Sequence, residues 1–134
     1  MRINFKTSLV YKTMNITERF LNYTKFDTQS NEDSTSVPST EKQLVFANYL
    51  KEELVREGLT DVEMDDKGYV YATLKGNTKK HVPTIGFISH YDTSPDCSGK
   101  DVKARIVENY QGGDIELSPG IVSSPTKFPE LNSH

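Results

Sequence analysis

The first hydrophobic pattern in the chain has the spacing of an amphipathic helix that starts after Asn15. Asn15 is followed three residues later by Glu18, and such a pair can form a capping box in which each side chain accepts a backbone N–H of the other residue. The pattern ends near residues 26–27, and the polar segment 27–40 that follows has the composition of a loop. The apolar face of this helix is predicted to contain Ile16, Phe20, Leu21 and Tyr23.

The strongest helical pattern covers residues 41–57. Thr40 and Gln43 provide a second capping signal at its start. Gly58 stands at its end, in the position where a helix commonly stops with a left-handed residue. The predicted apolar stripe contains Leu44, Ala47, Leu50 and Leu54, widened by Val45 and Val55.

The second half of the chain has the patterns of β-strands. Residues 61–65 alternate between polar and apolar, a turn is predicted at 66–68, and residues 69–74 are rich in β-forming side chains. Residues 84–89 form a nearly continuous apolar run, which is typical of a central strand covered on both faces. A further strand is predicted at 103–110.

Two helices followed by strands, with one buried strand in the middle, predict an α/β or α+β layered domain. The pattern supplies no helices for the second face of a parallel sheet. The predicted fold is therefore an incomplete mixed sheet with flanking helices. Residues 14–134 are predicted to form this truncated domain, and residues 1–13, which lack the apolar core of a signal peptide, are predicted to be a disordered extension.

Charge and composition exclude several classes of protein. The chain has 16 Lys and Arg residues against 19 Asp and Glu residues, so its net charge of −3 does not fit a nucleic-acid-binding protein. No apolar stretch approaches the ~20 residues that a membrane span needs, so no membrane association is expected. Cys97, the single cysteine, cannot form an intrachain disulfide and fits a cytoplasmic location.

The chemistry that stands out is His90 and Asp92, directly after the predicted strand 84–89. In an extended backbone, residues two apart point to the same side, so the imidazole and the carboxylate can reach each other or a common target. A metal-binding histidine usually donates its second ring N–H to a carboxylate. By spacing alone a surface hydrogen bond is the preferred interpretation, since a lone His-x-Asp is common by chance and one imidazole cannot provide the four ligands of a zinc site.

Other reactive residues are weaker candidates. Cys97 lies in a polar loop without a predicted helix N-terminus or a nearby histidine that would activate it. His81 is in a lysine-rich turn, and His134 is the last residue of the sequence. Residues 112–114, Gly-Gly-Asp, lack the strand-and-helix context of a phosphate loop. Glu32 and Asp33 have the pattern of a solvated charge pair rather than an acid–base couple.

A longer string around the pair, GFISHYDTSPDCSGKDVKARIVENYQGGDIEL, closely resembles the matching segment of the tripeptide aminopeptidases in the M20 family of zinc metallopeptidases. Other blocks resemble the same enzymes in the same order, and together they cover about residues 14–131. These blocks are ITERFLNYTKFDTQS, VPSTEKQ, LVREGLTDVEMDDKGYVYATLKGN and LSPGIVSSPTKFPEL.

The resemblance implies that the chain is the N-terminal part of an M20-type catalytic domain that releases the N-terminal residue of tripeptides. It implies that His90 is the first zinc ligand and that Asp92 is the catalytic aspartate that orients this histidine. The family uses two zinc ions, and its remaining ligands and its general base would lie beyond His134, as would a lid domain that allows a homodimer. On this basis the chain alone is expected to be inactive.

A second hypothesis is a non-catalytic remnant of an M20 gene, retained as an inert or partner-binding fragment. Both hypotheses share the same ancestry and differ in catalytic competence. The coding sequence immediately 3′ of the His134 codon distinguishes them, because a continuing frame with a Gly-Ala-Asp-Asp-like segment favours the enzyme and a stop codon favours the remnant.

Overall fold

The computed structural model describes residues 14–133. These residues form a small mixed α/β structure with two helices and two separate antiparallel hairpins, distributed over two compact units at residues 14–104 and 105–133. The predicted extension at residues 1–13 lies outside the described residues. Within residues 14–133, no helix is long and apolar enough to cross a membrane.

Helix α1 spans Ile16–Tyr23 and begins with the predicted capping box. The Asn15 side chain accepts the N–H of Glu18 at 2.8 Å, and the Glu18 carboxylate accepts the N–H of Asn15 at 3.0 Å. The helix ends at Tyr23, about three residues earlier than predicted, where Thr24 caps it. Its apolar face is narrower than predicted, because Ile16 and Phe20 are mostly exposed.

Helix α2 spans Lys42–Arg56, close to the predicted 41–57, but its first turn is not capped as expected. The Thr40 hydroxyl donates to the carbonyl of Gln29 at 2.9 Å instead of closing the helix N-terminus. The predicted end is confirmed. Gly58 has a φ of 81° and donates to Val55, while Leu59 donates to Leu54 at 3.1 Å, which completes a Schellman motif.

The core of the first unit is an aromatic cluster between the two helices. Phe46 and Ala47 of α2 are its buried residues, whereas Val45 and Val55, predicted to widen the apolar stripe, are 61% and 58% exposed. That part of the prediction is wrong because α2 turns the side of Phe46 towards the rings contributed by α1 and the following loop. The cluster contains Tyr23, Phe26, Phe46, Tyr49 and Tyr91.

Polar contacts add a second layer between the helices. The Arg19 guanidinium donates to the buried carboxylate of Glu53 and to Glu57 at 2.6 Å. The Asn22 amide donates to the Tyr49 hydroxyl at 2.6 Å. Because Glu53 is almost fully buried, its pairing with Arg19 offsets the cost of removing a charge from water.

This packing gives a pH-dependent prediction. Burial, together with the negative charge of Glu53, raises the pKa of Tyr23 to about 12, whereas its ordinary value is 10.0. The unfolded chain therefore loses this proton first, so the stabilisation is complete below pH 10 and is lost as the pH rises towards 12. We expect the thermal midpoint, followed by circular dichroism, to fall more steeply over this window in the parent chain than in Tyr23→Phe. Identical slopes would contradict the coupling.

Strands β1, Thr60–Met64, and β2, Val70–Thr73, form the predicted hairpin, and α2 packs against both. The turn between them is held by Asp65, whose carboxylate accepts the N–H of Lys67 at 3.0 Å and that of Tyr69 at 2.9 Å. Gly68 in this turn has a φ of 85°, in the left-handed region that favours glycine.

The predicted central strand at residues 84–89 is wrong for this structure. The segment has no regular secondary structure, Phe87 is 94% exposed, and Ile88 is fully exposed. Among residues 14–133, no backbone hydrogen bond joins this segment to a neighbour. An apolar run becomes a central strand only when strands pair on both sides, and the β1–β2 hairpin forms a sheet of its own.

The second unit contains a short hairpin that the sequence analysis missed. Strands β3, Ile115–Ser118, and β4, Ile121–Ser123, pair antiparallel around Pro119-Gly120. A Pro-Gly dipeptide between short apolar segments was the available signal. The predicted strand 103–110 is absent, and a one-turn 3₁₀ helix covers Pro129–Asn132.

Candidate metal-binding site

His90 and Asp92 contact each other, as their spacing predicted. The His90 Nδ1 atom lies 3.1 Å from Oδ1 of Asp92 and 3.0 Å from the backbone carbonyl oxygen of the same residue. A carbonyl oxygen can only accept a hydrogen bond, so Nδ1 carries a proton and donates it. In the neutral ring, Nε2 is then the nitrogen with a free lone pair. The His90 side chain is 84% exposed, which leaves it accessible to a ligand.

The backbone on both sides of Asp92 is attached to the first unit. Tyr91 points away from the pair, and its hydroxyl donates to the carbonyl of Gly68 at 3.0 Å. The N–H of Thr93 donates to Thr28 at 3.1 Å, and its carbonyl accepts the N–H of Ser30 at 2.9 Å. Tyr91 therefore points into the unit and the backbone of Thr93 is fixed to it, while the exposed side chains of His90 and Asp92 share the outer side, as expected for a period of two.

Tyr91 also completes the aromatic cluster. Its ring meets that of Phe46 edge to face, with 5.8 Å between the centroids. Burial, and then the neighbouring carboxylates of Asp92 and Asp65, raise the pKa of Tyr91 above its usual range. The hydroxyl therefore remains a hydrogen-bond donor at neutral pH.

The pair borders an open pocket of about 300 Å³. Its wall combines the start of α2, represented by Gln43, with the β1–β2 turn, represented by Lys67 and Tyr69. Gln43 is buried, and its amide donates to Thr28 and Ser39. The pair thus lies beside polar groups that the first unit holds in place.

The described residues provide one ligand of a metal site and not a complete set of ligands. Among residues 14–133, no group of three or more His, Cys, Asp or Glu side chains is arranged to hold a metal ion. His90 can supply one ligand through Nε2, with Asp92 fixing the opposite nitrogen, which is the usual arrangement behind a metal-binding histidine. A zinc site needs about four ligands, so further ligands would have to come from elsewhere.

Among residues 14–104, no hydrogen bond or ion pair joins another candidate residue to this pair. Cys97 and His81 are exposed in irregular segments, Glu32 and Asp33 are exposed in the loop before α2, and residues 112–114 form a turn in the second unit. His134 lies outside the described residues. Tyr91 and Thr93 were not predicted as supports of the pair. The signal available for both was the period-two alternation that identified His90 and Asp92.

A metal-binding histidine usually donates its second ring N–H to a carboxylate, and His90 has this arrangement, with Nδ1 at Asp92 and Nε2 free. Comparison with known proteins adds the particular relatives. The chain is 54% identical over 121 residues to Peptidase T of Caldanaerobacter subterraneus subsp. tengcongensis, covering 89% of this chain and 30% of that protein. It is equally similar to Peptidase T of Clostridium novyi, and it is 55% identical over 118 residues to that of Photobacterium profundum. No family model matches the chain.

The chain spans about 30% of the length of these curated relatives. Several matches of this identity over almost 90% of the chain show that it is homologous to the N-terminal part of peptidase T. A match over 89% of the chain leaves too few residues outside it at the two ends to exclude residues 90–92.

Proposed function

We propose that the chain is the N-terminal part of a zinc-dependent tripeptide aminopeptidase of the M20 family. The observation that carries the proposal is the His90–Asp92 hydrogen bond within a segment homologous to peptidase T. Helices α1 and α2 and the β1–β2 hairpin then belong to an M20-type catalytic domain. The single, exposed Cys97 fits a protein of the reducing cytoplasm.

In this function His90 is a metal ligand and Asp92 its orienting carboxylate. Zinc, when bound, supplies a Lewis acid for the peptide carbonyl and lowers the pKa of a bound water. Asp92 keeps the proton on Nδ1, so Nε2 is always the atom that coordinates the metal. The negative charge of the Asp92 carboxylate also makes the imidazole a stronger metal ligand. The accessible side of the pair leaves room for the additional ligands and for a peptide substrate.

The completing groups are proposed to come from the remaining 70% or so of the peptidase T length that this chain does not span. These are the further ligands of a two-zinc site, an acidic general base and the surfaces that select tripeptides. We also propose that the whole enzyme forms a homodimer. We propose no nucleic-acid or membrane partner for it.

A chimera tests the function directly. Residues 14–131 would replace the aligned segment of Clostridium novyi peptidase T, to which the chain is 54% identical. We expect this chimera to remove the N-terminal residue of trialanine, to lose activity with a chelator and to regain it with zinc. The matched control is the unaltered C. novyi enzyme. A chimera that melts cooperatively but neither binds zinc nor cleaves the peptide would instead favour the non-catalytic fragment.

A further inference from the structure

We propose that Tyr91 is a positioning residue for His90 and Asp92, and that it acts through a hydroxyl contact with the β1–β2 turn at Gly68. The metal-binding role of His90 rests on the proposed function. The geometric claim, that Tyr91 fixes the orientation of the pair, stands on contacts that are independent of that role.

Tyr91 is the point where the chain returns to the packed part of the first unit. Residues 73–90 are exposed throughout, and Tyr91 is the first side chain after them that is partly buried. Its hydroxyl donates to the Gly68 carbonyl at 3.0 Å, and its ring packs edge to face on Phe46. His90 thus lies between a long exposed segment and this single attachment.

Gly68 is shaped to receive the hydroxyl. A Cβ atom at this position would lie 2.7 Å from the Tyr91 hydroxyl oxygen and 3.1 Å from Cδ2 of Leu44. The turn is fixed from its other side by the Asp65 carboxylate, which accepts two backbone N–H groups. The carbonyl that receives the Tyr91 hydroxyl is therefore held by the turn itself.

Tyr91 fixes the orientation of His90 and Asp92 because side chains alternate along the backbone. When Tyr91 is held inward and Thr93 is held by Thr28 and Ser30, residues 90 and 92 are fixed on the outer side. This brings His90 Nδ1 within 3.1 Å of Asp92 and selects the tautomer whose Nε2 is free. If the hydroxyl contact is removed, Asp92 keeps its Thr93 anchor, whereas on the His90 side only the packing of the ring on Phe46 remains.

The tautomer of His90 is the direct test, because a merely structural tyrosine would not change it. In the ¹⁵N-labelled 134-residue chain at a fixed pH of about 8.5, imidazole nitrogen shifts give the ratio of Nδ1–H to Nε2–H forms. We expect Tyr91→Phe to lower this ratio about fivefold, the equilibrium effect of one ordinary hydrogen bond. The control is Tyr71→Phe, an exposed tyrosine on β2. An unchanged ratio in folded Tyr91→Phe would overturn the proposal.

A second pair of variants tests the same hydrogen bond by changing Gly68, the residue of the turn that accepts it. Gly68→Ala and Gly58→Ala impose similar backbone strain, with φ of 85° and 81°, but nothing lies within 4 Å of a Cβ at Gly58. We expect only Gly68→Ala to lower the tautomer ratio, and the double variant Gly68→Ala/Tyr91→Phe to match Tyr91→Phe. An equal ratio in Gly68→Ala and Gly58→Ala would refute the contact, even where Tyr91→Phe does not fold.

Titration of the same samples with zinc, together with the zinc content of the chimera, separates the two ideas. A ratio that falls in Tyr91→Phe, with normal zinc content absent from the chimera of the proposed function, supports the positioning role and counts against the metal role. A zinc-dependent shift in the parent chain, with an unchanged ratio in Tyr91→Phe, overturns the positioning role and leaves the proposed function intact.

Discussion

Replacing His90 by alanine in the peptidase T chimera should reduce kcat/KM by about 1,000-fold or more and lower the zinc content. His90 Nε2 is the donor atom that the described residues offer to the metal, and Asp92 already occupies Nδ1. A metal ion contributes several kcal/mol to catalysis, and each 1.36 kcal/mol corresponds to a factor of ten in rate. Loss of a ligand should therefore remove most of the activity. Steady-state cleavage of trialanine and metal analysis of the purified protein give the two readings.

His81→Ala is the matched control for this experiment. His81 is another exposed histidine, nine residues earlier in an irregular, lysine-rich segment, and it contributes to no group able to hold a metal within residues 14–133. We expect its activity and zinc content to equal those of the parent chimera. Comparable losses in both variants would show that histidine removal harms the chimera generally, and normal activity of His90→Ala would reject His90 as a ligand.

Asp92→Ala should have a smaller effect that separates its role from that of His90. Removing the carboxylate leaves Nε2 available but lets the ring change tautomer, and a change behind a metal ligand typically costs about 10–100-fold. We expect turnover to fall by that factor while most of the zinc remains. Zinc loss as complete as in His90→Ala would mean that Asp92 binds the metal itself.

The parts of the structure that the sequence predicted are those with local causes. The capping box of Asn15 and Glu18 and the Schellman motif at Gly58 are made within a few residues, so they need no distant partner. The β1–β2 hairpin follows from its turn and its alternating strands. The contact of His90 with Asp92 is local as well, since residues two apart in an extended chain share one side.

The parts that failed depend on distant partners. Residues 84–89 have the composition of a central strand, yet a strand needs neighbours to satisfy its backbone groups, and no neighbour pairs with it among residues 14–133. The orientation of α2 was misjudged because Phe46, rather than Val45, meets the rings of Tyr23 and Phe26. The hydroxyl of Tyr91 reaches Gly68, 23 residues earlier, a pairing that no local spacing encodes.

The 134-residue chain on its own should bind zinc weakly and show no aminopeptidase activity. Structural zinc sites with four ligands bind with about 10–16 kcal/mol, so one imidazole would supply about a quarter, roughly 2.5–4 kcal/mol. That corresponds to a Kd of about 1–15 mM. Among residues 14–133, no further histidine, cysteine or carboxylate cluster raises this value. Calorimetry measures the zinc affinity, and a trialanine assay run beside a full-length peptidase T measures the activity.

Self-association is the route by which this expectation could fail. Ile85, Phe87 and Ile88 expose a contiguous apolar segment directly before His90, and such surfaces favour association between copies. Two copies could bring two His90 side chains to one ion, so the titration should be repeated at two protein concentrations with sedimentation as the control. Stoichiometric zinc at micromolar Kd would contradict the prediction. Turnover in the same sample would show that the chain completes its site without the rest of peptidase T. If the tight binding disappears in Phe87→Ser while His90 is retained, the additional ligands come from a second copy held by this apolar segment.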